Sequence, residues 1–442
     1  MEVVVTVDEN SSYDDIKSVY IKLIDDNKGK GLFAAHQISE GSILFKEVPL
    51  VCAQFLWNEF YKYKACEYCM KALETAEANA QRLSANPSLV LPHPECCRVN
   101  PQSHVECPQC RVEYCSKECR SRAWQKYHQV LCVSQHPPDP DHPLVMIQDV
   151  WRNMHFPPET TSIMLLAKMI AIIKQAKDKD NAIERFANFC RATANEEKEL
   201  VHKLMGTRFQ EQFDTLLSVF TAALQEDTVA HWFTPEGIRS LFALIGTNGQ
   251  GVGTSSLSVY VSNCDDLHLE EEERQKLDSF IDQIYVDIEN ESGNFLNCEG
   301  SALYSLQSCC NHSCDPNAEV QFLDQNSTMS LVALKNIAEG DVSIELCIVA
   351  TRAVASMRQA RCFPRLKFLI FTTHPNSQRL GYIPWHILKL YFAFIHPSFM
   401  HTTAHNALHY LKVCIIQYII GQCFHSFSLF SELNLLKSST FL

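Results

Sequence analysis

The sequence predicts an α+β fold, with short strands at both ends of a 345-residue body and helices between them. Three observations carry this. Residues 18–24 (VYIKLID) and 42–54 (SILFKEVPLVCAQ), like VVVTV at 3–7, are rich in Val, Ile and Phe and bounded by glycine turns. Residues 162–176, 209–225 and 270–288 are apolar or amphipathic at helical spacing. Eight Cys and His positions between Cys66 and Cys132 carry the spacing of zinc ligands.

Taken in order, the first strands flank KGKGLFA, Lys28 to Ala34, whose glycines let the backbone turn tightly. Lys71 to Leu83 is Ala- and Glu-rich and reads as a helix, and 135–143 is a loop of Pro, His and Asp. SIMLLAKMIAIIKQA (162–176) is apolar enough to be a buried helix. Thr193 and Glu196 form a capping box for the next helix, and Gly206 is expected to end it. From about Phe295 strands return, with LYSLQ (303–307) and SLVALKNI (330–337) flanking the polar string NHSCDPNAEV (311–320). The apolar helical stripes are read as packing faces.

The zinc pattern is Cys66-x2-Cys69, Cys107-x2-Cys110, Cys115-x3-Cys119 and His128-x3-Cys132. Short turns between paired thiolates deliver two ligands to one Zn²⁺, so eight ligands make two ions. With every coordination position filled by protein, such ions are structural and leave no opening for hydrolysis. A domain this small depends on its metal to fold.

Composition narrows the rest. The chain has 442 residues, enough for two or three domains, and 20 Cys. No signal peptide opens it, and the other cysteines are scattered, so reduced thiols in the cytosol or nucleus are expected. Residues 1–345 hold 29 Lys and Arg against 50 Asp and Glu, which argues against direct DNA binding and suits a Lys-rich partner. No apolar run reaches the length of a membrane-spanning helix.

The string YCSKECRSRAWQKYHQVLC closely resembles the MYND zinc finger. The resemblance implies interleaved sites, one from Cys66, Cys69, Cys115 and Cys119, the other from Cys107, Cys110, His128 and Cys132. The 37-residue spacer between Cys69 and Cys107 is longer than usual. A dock for proline-containing peptides is also implied. Preceded by KGKGLFA and followed by GTNGQGVGTSSLS (246–258), FLNCEG (295–300) and SCCNHSCDPNAE (308–319), the finger resembles that of the SET and MYND lysine methyltransferases. There a MYND finger and a helical insert split a β-rich SET domain in two. The implied organisation is residues 1–62 for the first SET part, 63–133 for the finger, 134–245 for the helical insert and 246–345 for the second SET part. The implied activity is transfer of methyl from S-adenosylmethionine to a lysine of a histone tail, a ribosomal protein or another basic protein. Lys28, Lys30, Gly31, Asn248, Ser308, Asn311 and His312 are then the cofactor-binding residues, with the two lysines toward the cofactor carboxylate. A nucleophilic Cys310–His312 reading lacks an orienting carboxylate.

The pattern then breaks. The family places a tyrosine seven residues after the glycine that stands here as Gly340, and Cys347 occupies that position. The three cysteines that would join Cys314 around a third zinc are absent, so that site is read as lost. Residues 346–442 contain nine basic residues and one acid, Glu432. The change coincides with the loss of every motif. It is read as an alternative splice product, a retained intron or a frame error, not a natural family C-terminus. The competing function is therefore a non-catalytic, zinc-dependent interaction protein.

Overall fold

The structure is a computed structural model that describes residues 18–25, 29–59, 61–154, 163–189, 200–292, 298–312, 316–341 and 344–345. The expected strand at 3–7, the capping pair Thr193 and Glu196, and positions Lys28, Cys314, Cys347 and 346–442 lie outside these residues.

Strands β1 (Val19–Asp25) and β2 (Gly29–Ala34) form an antiparallel hairpin. Within KGKGLFA, residues Gly29 to Ala34 are strand and not a tight turn, and Gly29 at the start of β2 adopts φ +66°, a left-handed conformation that favours glycine. The stretch 42–54 is two strands, not one. β3 (Ile43–Glu47) and β4 (Val51–Gln54) are separated by Val48, Pro49 and Leu50, and Pro49 has no N–H to continue a ladder. The two then join different sheets.

The spacer inside the finger is a folded unit. Helix α1 (Ala76–Leu83) starts at Thr75, whose hydroxyl accepts from the Ala78 N–H at 3.1 Å. The finger itself contains β5 (Val105–Glu106), β6 (Glu113–Tyr114) and α2 (Lys117–Ala123), capped by Ser116. The chain stays helical beyond α2 through a wide turn at Trp124–His128 and a last turn at Gln129–Leu131.

Helices α3 (Pro143–Met154), α4 (Ile163–Gln175), α5 (Lys179–Ala187), α6 (Leu200–Leu224) and α7 (Pro235–Asn248) follow. α4 is buried along nearly its whole length, as its composition demands. Gly206 does not end a helix: α6 runs through it, because one glycine costs only about 1 kcal/mol against the packing of a long helix. The second half begins with β7 (Gly249–Thr254) and two more helices, α8 (Ser256–Asp265) and α9 (Glu271–Ser292). It ends with β8 (Cys298–Leu303), β9 (Asn311–His312), β10 (Ala318–Gln321), β11 (Met329–Ala333) and β12 (Ile344–Glu345). LYSLQ is strand only at Leu303. The chain then tightens into a single turn at Gln307–Cys309, fixed by Glu47 as described below.

Strands from the two ends of the body pair with each other. One sheet has the order β3-β11-β10-β12-β9, and a second has the order β4-β8-β7. β12 runs parallel to both of its neighbours, β10 and β9. Gly300 permits the β4–β8 contact, since a Cβ there would stand 2.2 Å from the Ala53 carbonyl oxygen.

Among the described residues, apolar side chains gather in three clusters. One joins the helices to the finger, one lies between the sheets, and one joins the spacer (Ala76, Ala80, Leu83, Leu91, Cys96) to α8 and α9 (Leu257, Tyr260, Ile281, Ile284). Polar bonds reinforce the third: Ser255 Oγ donates to Asn79 Oδ1 at 3.0 Å and Asn263 Nδ2 to the Cys96 carbonyl at 2.7 Å. The spacer is long because it carries its own half of a core.

Lys168 of α4 is 2% exposed and locks the three parts together. Its ammonium donates to the carbonyls of Cys52 on β4 and Glu67 in the first zinc loop, both at 2.9 Å. It pairs with the Glu67 carboxylate at 2.7 Å and stands 5.0 Å from the centre of the Tyr127 ring. A buried lysine is tolerated only with such a full set of partners. No helix among the described residues is long and apolar enough to cross a membrane.

Candidate functional site

The eight expected metal ligands form two clusters. Cys66, Cys69, Cys115 and Cys119 form one, and Cys107, Cys110, His128 and Cys132 the other, with ligand atoms within 4.8 Å of one another in each. The sulfurs of Cys69, Cys115 and Cys119 are separated by 3.5 to 3.8 Å, and those of Cys107 and Cys132 by 3.9 Å. His128 Nε2 lies 3.4 Å from the Cys110 sulfur. A tetrahedron with Zn–S bonds of about 2.3 Å has edges of about 3.8 Å, so the donors fit zinc in type and spacing.

Local structure produces this geometry. The Cys66–Cys69 and Cys107–Cys110 turns close with N–H donation from Met70 to Cys66 and from Arg111 to Cys107, and Met70 and Arg111 adopt positive φ. The Ser116 cap starts α2 so that Cys119 faces Cys115. Burial holds the His128 imidazole toward its neutral form, the form that binds metal. Contact with Cys119, Cys66 and Cys69 drives the Cys115 thiol far below its ordinary range, while contact with Cys115 drives Cys69 far above it. Thiols this close share protons poorly, and a soft cation resolves the conflict.

The second site lies where β2 meets the Asn311 strand. Asn311 Nδ2 donates to the Lys30 carbonyl at 3.3 Å, joining residues 281 positions apart. Lys30 and Ser308 line one cleft with Ser305, Cys309, Arg185, Asn188 and Phe189. Gly31 follows Lys30 on β2, packed against the Ile24 side chain. His312 is adjacent to Asn311 on β9, which pairs with β12 through Ile344 and Glu345. Asn248 sits buried at the end of α7, its amide donating to the Leu244 carbonyl at 2.8 Å. It leads into β7, where Gln250 accepts from Gln307 at 3.1 Å, one residue before Ser308. The structure therefore brings Lys30 and Ser308 to one cleft and bonds Asn311 to the Lys30 carbonyl, whereas Gly31 and Asn248 are not among the residues that line it. Lys28 lies outside the described residues.

Two contributors carried no sequence signal. Glu47 is 3% exposed, and its carboxylate accepts from the Leu306 and Gln307 N–H groups at 3.0 to 3.2 Å. It thereby fixes the turn that presents Ser308. Burial pushes its carboxyl up to about 7 against these bonds. Arg185, Asn188 and Phe189 come from the helical insert, with Phe189 buried in the helical core. A helix–loop boundary in a separate part of the sequence gives no hint that it closes a cleft against β2.

The SET domain family model matches residues 29–348. The chain belongs to the SET-domain family of protein-lysine methyltransferases. It is similar to protein-lysine N-trimethyltransferase SMYD5 of Danio rerio, 57% identical over 330 residues, which is 75% of this chain and 79% of that protein. The SMYD5 proteins of Gallus gallus and Homo sapiens are 58% and 56% identical over 327 and 331 residues. Those matches cover 74% and 75% of this chain, and 77% and 78% of the relatives. The fold class follows: a SET domain with mixed sheets and helices and a finger bearing two zinc-capable clusters. SET methyltransferases use S-adenosylmethionine, and the substrate is a lysine-bearing protein.

Proposed function

We propose that this SET-domain protein binds S-adenosylmethionine beside the junction of β2 and β9, holds two structural zinc ions, and methylates lysine on a basic protein such as a histone or ribosomal protein. The observation that carries the reading is the Asn311–Lys30 bond, which sets the glycine strand against the Asn-His strand beside the Ser308 turn. The cofactor supplies a methyl group activated on a sulfonium. The chain's own residues bind and align. Lys30 offers a cation for a carboxylate and Asn311 an amide for the polar edges of the ligand, while Gly31 makes room for Ile24 inside the β1–β2 hairpin and buried Asn248 supports the strand that leads to the Ser308 turn. A narrow channel that strips water from the incoming lysine lowers its pKa and favours the free amine. The acidic body attracts such a substrate. Trimethylation, named for the SMYD5 relatives, is the degree of transfer we assign.

The two zinc ions are held by the two clusters as a scaffold, with His128 and seven cysteines as ligands. Trp124, 40% exposed on the finger, is the natural contact for a proline-containing peptide. The expected location is the cytosol or nucleus. Residue Cys347, standing where the family carries tyrosine, favours a second reading in which the chain binds cofactor and partners but turns over slowly. Calorimetric titration of S-adenosylhomocysteine into the zinc-loaded chain tests the first reading. The chain is expected to bind, and Asn311→Ala to lose at least about tenfold in affinity, the scale of a polar contact to a charged ligand. Equal binding by both proteins would remove Asn311 from the site.

A further inference from the structure

The link between β3 and β4 and the turn between β10 and β11 both reach the first zinc loop, and a groove of about 300 Å³ lies among them. That size is at the lower end for ligand pockets. Val48, Pro49 and Leu50 give it an apolar wall, joined by Tyr68 and Tyr127. Hydrogen bonds hold the walls. The Ser327 N–H donates to the Cys69 carbonyl at 2.6 Å, and the Tyr304 hydroxyl donates to the Ser327 carbonyl at 2.6 Å. On the other side the Cys52 thiol donates to the Tyr68 carbonyl at 3.3 Å, and Lys168 holds the Cys52 and Glu67 carbonyls. A groove braced in this way loses little freedom when it takes a ligand.

Three cations line the groove, Lys71 after the first zinc loop and Arg122 and Lys126 after Cys119, and no Asp or Glu does. Arg122 and Lys126 are four residues apart on continuous helix and so share a face. This reverses the charge of the body, where residues 1–345 hold 29 Lys and Arg against 50 Asp and Glu. Part of the excess answers the metal site. Cys69, Cys115 and Cys119 also line the groove, and four thiolates around one Zn²⁺ leave two negative charges. Three cations exceed these by one, and neither Lys71 nor Arg122 forms an ion pair with a carboxylate among the described residues. Balancing a metal site also needs no apolar wall. Trp124 and the residues of the cleft beside Ser308 do not line this groove, so it is separate from both.

We propose that the groove docks an acidic peptide segment of another protein, which sets an aliphatic side chain against Val48 and Leu50 and carboxylates against Lys71 and Arg122. Its charge preference is opposite to that for a lysine-rich substrate, so the finger and the SET sheets together recruit a different segment or a different protein from the one methylated. The acidic body repels such a partner elsewhere and leaves this groove as its landing place.

The test is fluorescence anisotropy with the full zinc-loaded chain and a labelled peptide of about ten residues, rich in Asp and Glu around one central Leu and carrying a photo-crosslinking group. Binding is expected, weakening as salt rises, with crosslinks in 48–51 or 326–328. Replacing the acids by Asn and Gln should weaken it about 10- to 100-fold, the range for hydrogen bonds to charged groups. Replacing the Leu by Ser should weaken it about tenfold or more, the scale of burying one aliphatic side chain. Lys71→Glu with Arg122→Glu should weaken the parent peptide at least about tenfold, with two zinc ions and the melting temperature retained. If that pair of changes loses zinc, Arg122→Glu alone decides, since Arg122 is exposed and binds no metal. No binding of the parent peptide, unchanged binding by the charge-reversed chain, equal binding of the Ser peptide, or crosslinks elsewhere would overturn the proposal. Displacement of the peptide by a lower concentration of oligothymidine would overturn it in favour of a phosphate-backbone site.

Discussion

The finger and the proposed cofactor cleft are assembled in opposite ways. In the finger, each pair of ligands lies within a short turn, and all four within-pair spacings can be counted along the chain. In the cleft, the decisive contacts join residues 259 to 281 positions apart: Glu47 to Leu306, and Lys30 to Asn311. A locally encoded site is robust as long as its metal is present. A site assembled from distant strands depends on everything that keeps those strands together. Lys168 is the point at which the two dependences meet, because it ties the zinc loop to β4 from inside the helical insert.

The largest effect should come from the metal. Removing zinc with a chelator should unfold the finger and, through Glu67 and Tyr127, loosen the helices packed on it. Zinc binding in small domains is worth about 10–16 kcal/mol, far more than any single contact. Elemental analysis is expected to give two zinc ions per chain. A folded, metal-free chain with unchanged melting temperature would contradict this.

The next effect separates the parts without touching a ligand. Lys168→Met leaves Glu67 and two carbonyls without their buried partner and should cost about 3–5 kcal/mol. Chemical denaturation measures it. If the coupling is real, the variant should also weaken S-adenosylhomocysteine binding, since β4 holds β8, the strand that leads into the Ser308 turn. A variant as stable as wild type would mean the finger and the SET sheets are independent.

A smaller effect isolates the cleft. Glu47 is raised by burial from 4.5 to about 7. Between these values the folded state keeps a proton that the unfolded state has lost, so this group's contribution to stability falls as pH rises from about 4.5 to 7 and is flat outside that window. The full swing is about 3 kcal/mol at about 1.36 kcal/mol per pH unit. Glu47→Gln should flatten that part of the stability–pH curve. An unchanged slope would place the titration elsewhere.

The same contrast explains what could be read from the sequence. The zinc ligands, the buried helix at 162–176 and the amphipathic helix at 270–288 were legible because spacing and periodicity are local properties. LYSLQ (303–307) was read as strand throughout because the determinant of the turn that follows Leu303, the Glu47 carboxylate, lies on β3. The break at Pro49 was missed because apolar residues continue across it. Arg185 was invisible because only the packing of Phe186 and Phe189 aims it at β2. The interleaving of the zinc pairs came from family resemblance, and the structure gathers the same side chains into two clusters. Asn311 was found because its motif is distinctive, although its partner, the Lys30 carbonyl, is a backbone atom that no side-chain pattern reveals.

The central claim is that this chain binds a methyl donor in an intact cleft while lacking the tyrosine that would position the lysine amine. The direct test is tritiated methyl transfer from S-adenosylmethionine to a lysine-rich protein, comparing the chain with Cys347→Tyr at matched cofactor occupancy. The prediction is equal affinity for S-adenosylhomocysteine and transfer faster in the variant by up to on the order of 100-fold, the scale expected when a reacting group is misplaced. Equal transfer rates, or no cofactor binding by either protein, would contradict it.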